Sequence, residues 1–147
     1  MVEATAFGAR VIVERLRDLG VPVDTLVVCG GIASKSPFVV QVYADVLGRP
    51  IRVARSAQAS ALGAAVMGAV AGGAFPDVPA AQRAMVGEAA VEYLPEEENR
   101  ATYARLFRSY MALHDAFGTP AGRRDLRDVM KDVLALRDEV RARADAC

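Results

Sequence analysis

Residues 25–54, TLVVCGGIASKSPFVVQVYADVLGRPIRVA, carry the pattern that decides the fold. Thr25 to Cys29 is short, almost wholly apolar and rich in β-branched residues, as in a strand covered on both faces inside a sheet. It stops at Gly30 and Gly31. Ser36 and Pro37 then mark a helix start, with the hydroxyl as cap and the proline in the first turn, where its missing N–H costs nothing. Phe38, Val42, Val46 and Leu47 supply the helix's apolar positions. Gly48 ends it, Pro50 prevents its continuation, and Ile51 to Ala54 reads as a second short strand.

Upstream, Phe7, Val11, Ile12, Leu16 and Leu19 recur at helical spacing, and Gly20 with Pro22 stops that helix. The order helix, strand, helix, strand predicts an α/β fold. Downstream, Ser56 reads as the cap of a helix running through SALGAAVMGAVAGG. Its small side chains suit either close backbone packing or a ligand-facing role. A Pro-containing stretch, Phe75 to Pro79, leads to a short amphipathic segment around Met85, then to VEYLP, an edge strand ended by Pro95. Tyr103, Leu106, Phe107, Tyr110, Met111, Leu113 and Phe117 define a long amphipathic helix ending at Gly118. Leu126, Val129, Met130, Val133, Leu134 and Val140 define another. The TPAG linker between them predicts an antiparallel helical pair.

A chain of 147 residues with 53% hydrophobic residues and mean hydropathy +0.21 has material for a packed core. Eighteen basic residues balance eighteen acidic ones, and no basic patch is interleaved with aromatics, so nucleic acid is not an expected partner. The charged amino terminus lacks the layout of a signal peptide. The small-apolar run Ala57 to Phe75 is broken by four glycines, and Ala and Gly contribute little transfer energy, so a buried helix is expected there rather than a membrane span. Cys29 and Cys147 form neither a disulfide framework nor a metal-ligand spacing. The cytoplasm is the expected compartment.

GGIASKSP is the candidate site, because a strand that stops at two glycines before a capped helix brings backbone amides and a helix amino terminus together, an arrangement suited to a nucleotide or other anion. Gly30 and Gly31 let the backbone approach a ligand without a Cβ in the way, while Ser34, Lys35 and Ser36 offer hydroxyl and ammonium donors. The bland alternative is an ordinary glycine turn. Neither G-x-G-x-x-G nor G-x-x-x-x-G-K-[ST] occurs. His114, the only histidine, lies among apolar helix neighbours and reads as a packed or surface residue. Glu96, Glu97 and Glu98 read as a solvated first helical turn, favoured by the helix dipole. Asp45 fits a polar helix face as well as a ligand role.

The run from Val27 to Gly73, VVCGGIASKSPFVVQVYADVLGRPIRVARSAQASALGAAVMGAVAGG, resembles the carboxyl-terminal domain of FGGY carbohydrate kinases. ATAFGARVIVERL before it, YARLFRSYMALHDAFG after it and DVM further on extend the resemblance over nearly the whole chain. The wording is nearest to family members that phosphorylate L-ribulose. The resemblance implies part of an actin-like ATPase (ribonuclease H-like) domain with few strands, over residues 1–95, followed by a helical pair over 96–147 that packs on it. It implies ATP, with Mg2+ in the full-length enzyme, as cofactor, ATP/ADP and a sugar as ligands, and no membrane. The family's glycine pair lies against the adenosine part of ATP and maps onto Gly30 and Gly31. A nearby position, often Asn in relatives, is Lys35 here, a departure from the family's pattern.

The family's phosphate-binding loops, its catalytic aspartate and most of the sugar site lie upstream of anything this chain resembles. Phosphoryl transfer depends on positioning and electrostatic stabilisation, so no kinase activity is expected of this polypeptide alone. The strand Thr25 to Cys29 is then expected to have an unfilled sheet edge that favours a homo-oligomer. Other FGGY kinases, acting on xylulose, glycerol or a sugar acid, are the alternative within enzymes. A non-catalytic module that docks through its two carboxyl-terminal helices is the rival outside them.

Overall fold

Helix α1 (Val2–Asp18) places Ala6 and Phe7 in the core and closes where periodicity and glycine indicate. The amide of Gly20 donates to the Arg17 carbonyl and that of Val21 to Leu16, both at 2.9 Å. This paired closure needs a left-handed residue, and Gly20 supplies it with φ 79°. The structure, a computed structural model, describes residues 1–88, 91–118, 126 and 128–144. Its remaining elements are β1 (Leu26–Val28), α2 (Gly31–Lys35), α3 (Pro37–Leu47), β2 (Ile51–Val53), α4 (Ala59–Ala71), α5 (Val78–Met85), β3 (Val91–Tyr93), α6 (Glu97–Gly118) and α7 (Val129–Ala144). The fold is α/β, mostly helical around a three-stranded sheet.

Strands run in the order β1-β2-β3, with β1 parallel to β2 and β3 antiparallel to it. Leu26 pairs with Ile51, Val28 with Val53 and Ile51 with Tyr93. These five side chains share a face and pack against Val40 and Ala44 of α3. The opposite face carries Val27, Arg52 and Glu92, and the Arg52 guanidinium meets the Glu92 carboxylate at 2.8 Å. The expectation of a strand covered on both faces is therefore corrected. Val27 is 59% exposed and Cys29 is exposed, because α3 covers only one side of the sheet.

Helix α3 is the centre of the molecule. Val40 and Ala44 face the sheet, while Val42 and Val46 join Ala6 and Phe7 of α1 and Phe107 of α6. Burying each valine contributes about 1.5–3 kcal/mol, so this two-faced helix ties the layers together. Phe7 and Phe107 lie 5.8 Å apart by ring centroid, and the Arg10 guanidinium stands 4.1 Å over the Phe107 ring.

Asp45 is not a solvated polar-face residue. Only 4% exposed, its carboxylate accepts from Gln41 Nε2 at 2.8 Å, the Glu96 amide at 2.8 Å and Asn99 Nδ2 at 2.9 Å. It thus anchors the amino-terminal end of α6 to α3, where the helix dipole also favours negative charge. Burial, then the carboxylates of Glu3, Asp45 and Glu96, raise the pKa of neighbouring Tyr103. Glu97 and Glu98 occupy the first turn of α6. Arg105 grips Glu139 of α7 at 2.9 and 3.0 Å, joining positions far from the connection on both sides, so the helices run antiparallel. The TPAG linker and Cys147 lie outside the described residues.

Two further expectations change around α4. It begins at Ala59 rather than at Ser56, whose hydroxyl instead accepts from the Gln58 amide at 3.2 Å. Nor is it a buried helix: only Val66 is buried, since α4 packs chiefly on α5. The small residues serve no close approach at Gly63 or Gly68, where a Cβ would meet no atom within 4 Å. Helix α5 is capped by Asp77, whose carboxylate accepts from the Ala80 amide at 2.7 Å.

Candidate functional site

The turn after β1 is built by one unusual backbone conformation. Gly30 has φ 93° and ψ 177°, which a residue with a Cβ rarely adopts, and it redirects the chain out of the sheet. The glycines do not lead directly into α3. Gly31 to Lys35 instead form α2, a single short helix in which the Ser34 amide donates to the Gly30 carbonyl at 3.2 Å. Ser36 breaks this turn from α3 with φ −131° and ψ 86°. Pro37 stands in the first turn of α3 as expected, but the Ser36 side chain makes no capping bond.

The candidate residues are thus held together by local structure. The Ser34 hydroxyl donates back to the Gly31 carbonyl at 3.2 Å, which leaves its lone pairs, rather than its proton, for another partner. Lys35 is exposed at the end of α2. Gly31 differs from Gly30 in a useful way. Its backbone is helical, and a Cβ there would meet no atom within 4 Å. Neither conformation nor packing in this chain requires glycine at 31.

Next to this turn is a hollow of about 500 Å³, lined by Val28, Cys29, Ile32, Ala33, Val40 and Tyr43, with the start of α1 on its far side. Its wall is mainly apolar and suits a flat ring better than a phosphate. Val28, Cys29, Val40 and Tyr43 lie outside the GGIASKSP segment expected from sequence. Ile32 and Ala33 sit inside it, and Tyr43 reaches the hollow only through the packing of α3. His114 is exposed, against Asp115 and the Tyr110 ring, away from the glycine turn. Among the described residues, no three His, Cys, Asp or Glu side chains group to hold a metal ion. No helix among them is long and apolar enough to cross a membrane.

Residues 1–72, which contain the glycine turn and the whole of the hollow's wall, match the C-terminal domain of the FGGY family of carbohydrate kinases. The likeness to carbohydrate kinases extends from these residues over most of the chain. It is 48% identical over 118 residues to a ribulokinase of Mycolicibacterium smegmatis, covering 80% of this chain and 21% of that protein. A ribulokinase of Shouchella clausii is 39% identical over 148 aligned positions, covering 98% of this chain and 26% of the relative. The fold is similar to that of xylulose kinase from Rhodospirillum rubrum, with TM-score 0.63 and 26% identity over 77% of this chain and 22% of that one. The chain therefore spans between about a fifth and a quarter of the length of these relatives.

Proposed function

We propose that this chain is the nucleotide-side part of an ATP-dependent carbohydrate kinase whose sugar substrate is a ketopentose, L-ribulose. The observation that carries the reading is Gly31, a glycine that this chain's own structure does not require, exposed beside an apolar hollow. A ligand that lies against the backbone supplies the missing reason for it. In this reading Gly30 and Gly31 pass under the adenosine, Ser34 and Lys35 border it, and the Ile32 side of the hollow takes the flat base. ATP contributes the transferable phosphoryl group; this chain's residues bind and orient the opposite end of the nucleotide. Mg2+ belongs to the phosphate end, and no residue here is assigned to it.

Within the actin-like arrangement inferred from the family, residues 1–95 belong to the ATPase domain and residues 96–147 form its helical tail. With no residue here assigned to the catalytic base or to the phosphates, the polypeptide by itself transfers no phosphoryl group. Identities of 48% and 39% to ribulokinases, against 26% to the xylulose kinase, favour ribulose over xylulose. The cytoplasm fits an exposed free thiol such as Cys29, which stays reduced there.

Calorimetric titration with ATP and ADP, with and without magnesium, tests the site. Binding to the unchanged chain and its loss in Gly31→Asp, with circular dichroism unchanged, is the expected result. Equal binding by both proteins would remove the adenosine from this turn.

A further inference from the structure

We draw no further inference here: the strongest candidate, the polar hollow that Arg10, Arg17, Arg49 and Arg100 line between α1, the end of α3 and the start of α6, makes no anion site, because Arg10 already serves Glu14 and the Val46 carbonyl, Arg49 the Val23 carbonyl and Arg100 the Glu97 carboxylate, which leaves only the exposed Arg17.

Discussion

Helices α3 and α4 are both apolar, yet one is surrounded and the other is not. Of the eleven residues of α3, Val40, Val42, Ala44, Asp45 and Val46 are buried, with the sheet on one side and α1 and α6 on the other. Of the thirteen residues of α4, only Val66 is buried, with α5 as its main neighbour. Apolar composition thus makes a helix fit to be buried, but the layers placed around it decide whether it is. Stability should therefore be concentrated where α1, α3 and α6 meet.

The largest expected effect lies in that concentrated half. Phe107→Ala removes a ring that packs on Phe7 and Tyr110 and receives the Arg10 guanidinium, so it should cost about 3–5 kcal/mol in urea unfolding. A loss below about 1 kcal/mol would mean that the α1, α3 and α6 junction is no more consolidated than α4.

Asp45→Ala comes next. It strands the Glu96 amide and takes one of two acceptors from each of the Asn99 and Gln41 side-chain amides at the α3–α6 junction, which should cost about 2–3 kcal/mol. Exchange of the first-turn amides of α6 should accelerate more than that of α1. Uniform acceleration throughout the molecule would show that Asp45 supports the whole core rather than one helix end.

These differences mark what sequence could and could not convey. Gly20, Gly48 and Pro95 act locally, through backbone conformations or missing donors, and the ends of α1, α3 and the VEY strand were legible from them. The open face of β1 was not, because Val27 is equally at home buried or exposed, and its neighbours Arg52 and Glu92 pair only once β2 and β3 are in register. Exposure of α4 was hidden for a related reason: periodicity shows how apolar a helix is, not whether another layer is there to cover it. At the candidate site, the glycine turn was readable, but α2 is too short to show a period. The Asp45 anchor joins residues 51 and 54 positions apart, and no local pattern announces it.

The smallest effect should have the opposite sign and tests α4 most directly. Glycine inside a helix is less favourable than alanine by about 0.5–1 kcal/mol, because the unfolded chain gives up more freedom to reach the helix. That gain is realised only where the added methyl meets nothing. At Gly63 and Gly68 it would meet no atom within 4 Å, whereas at a packed position it would force its neighbours apart. Gly63→Ala and Gly68→Ala should therefore each stabilise the chain by about 0.5–1 kcal/mol in thermal or urea unfolding. A destabilisation at either position would mean that another surface approaches α4 closely in solution, and the contrast with α3 would then lie in which molecule supplies the neighbour.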